Sequence, residues 1–276
     1  MSERNPLNDI RVASSAAFSR GQQDRPGATT LNFTQNQPLT ASDIDTLAVL
    51  EFAAQDILQK YHAAMRQMET RLETLDQDIK LRLSRNPIHH IESRIKSVPS
   101  IFEKLGRYGK TQTLDSMERY IMDIAGLRVI VSYVQDVYDI LHYLEHQDDL
   151  EVVAVKDYIA NPKPNGYRSL HMIVKIPVYF LSGRESVPVE IQIRTIAMDF
   201  WASLEHDLKY KAVHEISGVN VGTELKRCSE IIEEVEDRMQ VLARALEQDA
   251  PAGKREMKAA RQIDLSDSLM GGENPL

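Results

Sequence analysis

The chain has 276 residues, a formal net charge of -8, 42% apolar and 27% charged residues, the balance of a globular protein of one or two domains. Net acidity argues against a general binder of nucleic acid or membrane while leaving room for a local basic site. The single cysteine, Cys228, excludes an internal disulfide and suits a reducing cytosol; its plain reading is a small, partly buried thiol on a helix. No apolar run is long enough to span a bilayer, and Met1 to Ile10 lack the basic segment and apolar core of a signal peptide.

Residues 1–39 are rich in Ser, Asn, Gln, Thr and Gly without periodicity and are expected to form a flexible arm, with Leu31 and Phe33 as a small apolar patch. A long helix is predicted from near Ser42, which forms a plausible capping box with Asp45. Its apolar residues, Leu47, Leu50, Ala54, Ile57, Tyr61, Met65, Met68, Leu72, Leu75 and Ile79, recur in steps of three and four, and Asn86-Pro87 ends it. Such a stripe serves either the protein's own core or another subunit. Ile88 to Ile95 reads as a strand, and Ser97-Val98-Pro99-Ser100 opens a helix that Gly106 and Gly109 punctuate. Asp115 to Tyr120 is a short helical segment, Leu127 to Val131 a buried strand, and Val134 to His146 a helix with Val137, Ile140, Leu141 and Leu144 on one face.

Strands are expected over Leu150 to Val155, Tyr167 to Pro177 and Val187 to Arg194, the last two connected through Ser182-Gly183-Arg184. Helix returns over Ile196 to Lys211. A linker with Gly218 and Gly222 leads to a final helix, Glu224 to Glu247, carrying Leu225, Cys228, Ile231, Ile232, Val235, Met239 and Leu242 at helical spacing. The expected architecture is α/β of the α+β kind: a central mixed sheet of about five strands flanked by helices, with long helices at both ends. One domain over residues 40–248 lies between the arm and a charged, Gly-rich tail, 249–276, expected to be disordered.

Three constellations carry chemistry. Arg94 and Lys96 stand at a strand end, and Ser100 and Lys104 on the following helix; helix N-termini and cations both suit phosphate oxygens, although basic residues at a strand end are most often simply solvated. Asp123, in Asp123-Ile124-Ala125-Gly126-Leu127-Arg128, precedes a buried strand, a common metal-holding geometry for phosphoryl transfer; the alternative is a helix cap or loop ion pair. The densest stretch runs from Lys156 to Thr195. There Glu190, between Val189 and Ile191 in mid-strand, needs a cation or a metal as partner, and Gln192 shares its face. Tyr167 could stack on a base. Two separated carboxylates with several cations on adjoining strands favour a magnesium–nucleotide site. Two decoys are set aside. Gly109-Lys110-Thr111 ends like a phosphate-binding loop, but the pattern's first glycine would fall at Lys104 and no strand precedes it. His206-Asp207 is a lone doublet without a ligand set for a metal phosphohydrolase.

At these residues the chain resembles the small alarmone synthetases, stand-alone relatives of the RelA/SpoT synthetase domain. The motifs are Arg94-x-Lys96, Asp123-Ile124-Ala125-Gly126-x-Arg128, Lys156-Asp157-Tyr158, Lys163-x-Asn165-Gly166-Tyr167-x-Ser169-x-His171 and Glu190-Ile191-Gln192-Ile193-Arg194-Thr195. The resemblance implies a nucleotidyltransferase-like synthetase fold and transfer of pyrophosphate from ATP to the 3′-OH of GDP or GTP, releasing AMP and making ppGpp or pppGpp in the stringent response. By the same resemblance Arg94 and Arg128 sandwich adenine, and Lys96, Ser100 and Lys104 contact ATP phosphates. Asp123 is a Mg²⁺ ligand, with Glu190 completing the metal site or acting as base. Tyr167 stacks on guanine, and Lys156, Lys163, Asn165, His171 and Gln192 face the acceptor nucleotide. It further implies a cytoplasmic homotetramer, built in part by the stripes at Leu47 to Ile79 and Leu225 to Leu242. It admits activation by bound (p)ppGpp and a single-stranded RNA regulator, at positions the sequence does not give. One departure is local: where long bifunctional relatives carry Arg-x-Lys-Asp, this chain has Ala154-Val155-Lys156-Asp157. The residues before Ser42 are too few for a hydrolase domain, so no hydrolase activity is expected. The alternatives are a toxin-like relative acting on tRNA 3′ ends, for which the acidic total is unfavourable, and a non-catalytic nucleotide or RNA binder, which would be expected to lack Asp123, Glu190 or Tyr167.

Overall fold

Alternation of side chains along five strands sorts one sheet into an apolar face and a polar face. In the computed structural model, which describes residues 41–83, 85–211 and 220–248, the elements run α1 (Ala41–Leu83), β1 (Ile88–Ile95), α2 (Val98–Arg107), α3 (Leu114–Tyr120), β2 (Ala125–Val131), α4 (Val134–Glu145), β3 (Glu151–Asp157), β4 (Leu170–Phe180), β5 (Gly183–Thr195), α5 (Ile196–Lys211) and α6 (Val221–Gln248). The expected arm, Gly218 and the tail lie outside the described residues, as do the side chains of Ser42 and Asp45.

The strand order is β1-β2-β5-β4-β3. Only β2 and β5 run parallel; the other pairs are antiparallel, so the sheet is mixed. Register puts Leu127 beside Ile191 and Val129 beside Ile193, and Ile191 and Ile193 beside Met172 and Leu170. Together with Ile57, Tyr61, Met68 and Leu72 of α1 and Val137, Ile140 and Leu144 of α4, these residues form one buried core. Each such aliphatic side chain contributes about 1.5–3 kcal/mol when fully removed from water.

The α1 stripe, from Ile57 onward, is therefore core: Ile57, Tyr61, Met65, Met68, Leu72 and Ile79 are all buried within the chain. Of the two uses left open for this stripe, own core or another subunit, these residues take the first, because the sheet's apolar face needs cover; Leu75 is half-buried. The α6 stripe behaves differently. Leu225 is buried, but Ile231, Val235, Met239 and Leu242 are exposed, and so is Cys228, which the sequence suggested would be partly buried. Gly222, read as linker, lies inside α6. Strand β4 begins at Leu170, so Tyr167 belongs to the preceding loop.

Local signals set the ends of elements. Thr113 caps α3, its hydroxyl accepting from Ser116 N at 3.1 Å. Gly109, at φ 65°, closes α2: Gly109 N donates to Gly106 O and Lys110 N to Leu105 O, the paired bonds of a Schellman end. The Gly-Lys-Thr decoy is thus a helix terminus. Asp136 is buried at the start of α4, where its carboxylate accepts from Tyr133 N and pairs with Arg85, joining the end of α1 to the core.

Candidate active site

Register gathers the candidate residues on the polar face of the sheet. Arg94 of β1 lies opposite Gly126 of β2, which is level with Glu190 of β5; Arg128 is level with Gln192, Gln192 with His171 of β4, and His171 with Lys156 of β3. Residues level across neighbouring strands point to the same side. Five strands thus present Arg94, Arg128, Glu190, Gln192, His171 and Lys156 to one side. A cavity of about 280 Å³ opens there, lined by Asp123, Ala154, Lys156, Tyr158, Lys163, His171, Ile173, Glu190 and Gln192.

Asp123 sits in the connection just before β2. Lys96 and Lys104 both donate to its Oδ2, the latter at 2.6 Å, so the β1 end and α2 converge on it. Its other oxygen, Oδ1, is buried without a hydrogen-bond partner. Burial pushes the carboxyl up, but the hydrogen bonds from Lys104 and Lys96 outweigh it and hold Asp123 below the usual carboxylate range. Burial likewise works against the Lys104 ammonium, and the bond to Asp123 reverses this, raising its pKa. A buried, ionised oxygen with a free lone pair beside a cavity fits a hard cation. Among the described residues no group of three or more His, Cys, Asp or Glu could hold a metal alone.

Glu190 is held by two neighbours: Oε1 pairs with His171 Nδ1 at 3.1 Å and Oε2 accepts from Gln192 Nε2 at 2.9 Å. Burial raises its pKa, but the bonds from His171 and Gln192 prevail, and it too is held low. Behind it runs a chain of hydrogen bonds. Arg194 Nη2 donates to Tyr167 Oη at 2.6 Å, and Tyr167 Oη lies 2.9 Å from His171 Nε2. An ionised carboxylate can only accept, so His171 Nδ1–H donates to Glu190, and in the neutral ring Nε2 is then left to accept from Tyr167 Oη. The network assigns the His171 tautomer, and each donor polarises the next.

The loop between β3 and β4 is fixed from within. Asp157 ends β3 and accepts from Ile159 N and Ala160 N at 2.8 and 2.9 Å, while Tyr138 Oη donates to its other oxygen at 3.1 Å. Lys163 Nζ stands 4.5 Å from the ring centres of both Tyr158 and Tyr167, and burial together with Arg194 lowers its pKa. Asn165 Oδ1 accepts from Tyr167 N and its Nδ2 donates to Glu205, so both ends of this amide are used within the protein.

Of the sequence-predicted residues, Asp123, Lys156, Lys163, His171, Glu190 and Gln192 line the cavity, and Lys96 and Lys104 adjoin it through Asp123. Arg94 and Arg128 share the same sheet face, with Arg128 paired to Glu92 at 3.1 Å and its Nε buried without a partner. Ser100 is exposed one turn before Lys104, its hydroxyl 2.9 Å from that of Ser97. Tyr167 and Asn165 lie behind Lys163 rather than on the cavity lining. His206 and Asp207 are exposed on α5. Sequence reading missed Tyr158, although Lys156-Asp157-Tyr158 flagged it, and it missed the ordering role of Arg194. Ala154 lines the cavity beside Ile173, so a basic residue at this position would face the same space.

Residues 93–215 match the family described as the region found in RelA/SpoT proteins. GTP pyrophosphokinase YwaC of Bacillus subtilis is 42% identical over 201 residues, which cover 73% of this chain and 95% of that protein. GTP pyrophosphokinase YjbM of the same organism is 35% identical over 205 residues, with 74% and 95% covered. Among solved structures, small alarmone synthetase 1 from Bacillus subtilis bound to its product pppGpp superposes with a TM-score of 0.64 at 34% identity, covering 70% of this chain and 98% of that one. Small alarmone synthetase 2 from the same organism gives 0.62 at 41% identity, covering 69% and 98%.

Proposed function

The chain belongs to the RelA/SpoT family, alongside the small alarmone synthetases, and from that membership we propose that it is a GTP diphosphokinase, moving the pyrophosphoryl group of ATP to the ribose 3′-OH of GDP or GTP. The observation that carries the reading is the convergence on one cavity of a lysine-held carboxylate, Asp123, and a second carboxylate, Glu190, oriented by His171 and Gln192. Relatives named GTP pyrophosphokinases support the activity, and a neighbour solved with AMPCPP supports nucleotide substrates.

In the reaction the acceptor 3′-oxygen attacks the β-phosphorus of ATP. The new bond is O3′–Pβ; the bond that breaks joins Pβ to the oxygen bridging to Pα, and AMP leaves with its electron pair. Such transfers depend on positioning and charge neutralisation more than on covalent chemistry. Glu190, ionised and oriented by His171 and Gln192, either takes the 3′-OH proton and releases it to solvent or completes the metal site. Lys96 and Lys104 offer their ammonium groups to the donor phosphates once these arrive beside Asp123. Arg94 and Arg128 are diagonal neighbours on β1 and β2, about 7–8 Å apart by that geometry, a gap suited to one flat base with a guanidinium on each face. Lys156 and Lys163 answer the acceptor's phosphates, with Tyr167 and Tyr158 as aromatic surfaces for guanine. Asp123 would hold Mg²⁺, with Glu190 as a second ligand where it does not act as base, and the ion would supply neutralisation of phosphate charge.

The exposed apolar residues of α6, with Leu204 and Leu208 of α5, support assembly of several copies, for which we infer the homotetramer. No helix among the described residues is long and apolar enough to cross a membrane; a cytoplasmic site of action rests on the lone cysteine. The test is to incubate purified protein with Mg²⁺ and labelled ATP, with GDP, GTP or tRNA as separate acceptors. Label on the guanosine nucleotide is expected. Label on tRNA alone, or on neither, would overturn the proposal.

A further inference from the structure

The loop that holds Lys163 and Tyr167 is clamped by a helix beyond the stretch that matches the family, which ends at residue 215. Three ties run from α6. Ser229 Oγ donates to Gly166 O at 2.6 Å. Arg168 donates to Glu236 at 2.9 Å and pairs with Glu233 at 3.3 Å, and Glu236 also accepts from Thr195, the last residue of β5. Trp201 Nε1 donates to Leu225 O at 2.8 Å, with its ring 6.5 Å from that of Tyr167. The ties grip residues 166 and 168, on either side of Tyr167. The approach is close as well: Gly166 has φ 90°, and a Cβ there would lie 2.8 Å from Ser229 Cβ, so only glycine fits under the helix.

Burial makes these ties matter. Arg168 and Glu236 are 6% and 9% exposed, so their pairing is little screened. On the opposite side of the loop Tyr167 reaches Glu190 through His171. A displacement of α6 would therefore move Lys163 and Tyr167, whereas Lys96, Lys104 and Asp123, which make their contacts with one another, would stay in place.

We propose that Ser229 and Glu236 of α6 are positioning residues for the acceptor nucleotide, setting the loop that carries Lys163 and Tyr167 without touching substrate. The inference rests on the proposed acceptor role of those two residues and goes beyond it by making acceptor affinity depend on how α6 is docked.

The test uses the full chain with Ser229→Ala and Glu236→Gln. Glu230→Gln serves as control, since Glu230 is exposed and, among the described residues, makes only an i,i+4 pair with Lys226. Glu236→Gln keeps an oxygen to accept from Thr195 but loses the ion pair with Arg168, and Ser229→Ala deletes a single hydroxyl should Glu236→Gln fold poorly. The KM for GDP or GTP should rise roughly tenfold in both variants, as expected for losing one such hydrogen bond. The KM for ATP should stay within about twofold, and the control should match wild type. Unchanged acceptor KM in both variants, or an equal rise in both KM values, overturns the positioning role. Absence of transfer by wild type overturns the functional reading instead. Hydrogen exchange then decides the clamp alone: the Lys163 and Gly166 amides, bonded to Tyr167 O and Lys163 O, should exchange faster in both variants, and unchanged rates overturn it.

Discussion

Replacing Asp123 by Asn tests the donor half with almost no change of shape. The substitution removes one negative charge that two ammonium groups share on Oδ2, and it removes an anionic oxygen, Oδ1, left without a partner among the protein's own groups. Two effects of different size follow. The loss of ion pairing should cost about 1–3 kcal/mol of stability, near the lower figure because Lys96 and Lys104 keep 15% and 22% exposure and can turn to water. The loss of transition-state charge stabilisation should cost about 10²–10³-fold in kcat. The freed lysines still attract phosphates, so the ATP KM should hold or fall, and the whole loss should appear in kcat. Initial rates at saturating ATP and acceptor, beside a denaturant titration, separate the two effects. A folded Asp123→Asn variant with kcat within tenfold of wild type would refute the role given to this carboxylate.

Glu190 stays ionised because His171 and Gln192 offset its burial, so His171→Ala should leave burial dominant, raise the Glu190 pKa and move the acid limb of the pH–rate profile to higher pH. An unshifted limb, measured as kcat/KM against pH, would show that His171 does not hold the carboxylate low. Met68 is fully buried between α1 and the sheet; Met68→Ala should lower stability by about 2–5 kcal/mol by denaturant unfolding. Charges introduced on the exposed α6 stripe, as Val235→Asp with Met239→Asp, should lower the oligomeric mass in light scattering while leaving monomer secondary structure intact, because both residues are 54% exposed in the single chain. A wild-type protein that already scatters as a monomer would contradict the inferred assembly.

The sheet was legible because its strands carry a two-residue period, and the register that aligns Arg128, Gln192 and His171 follows once those strands are adjacent. The carboxylates stood out for a related reason: Glu190 interrupts an apolar strand, and Asp123 abuts one. The contacts of α6 were not legible. Beyond Leu225 its buried side, Ser229 and Glu236, is polar, and it lies about a third of a turn from the exposed apolar residues Ile231, Val235, Met239 and Leu242. Periodicity reports that a stripe exists, not what covers it, so α1 and α6 looked alike although one is core and the other exposed. Tyr167 was read as the first residue of a strand and proved to be a loop residue, because Gly166, its neighbour, takes a positive φ beneath α6.

The most direct test of the central claim follows where the phosphates go. With ATP labelled at both the β- and γ-phosphates and GDP as acceptor, the account predicts one AMP for each product molecule, both labels in the guanosine product, and no transfer when 3′-deoxy-GDP replaces GDP. Transfer of the γ-phosphate alone with release of ADP, or undiminished transfer to the 3′-deoxy acceptor, would contradict it.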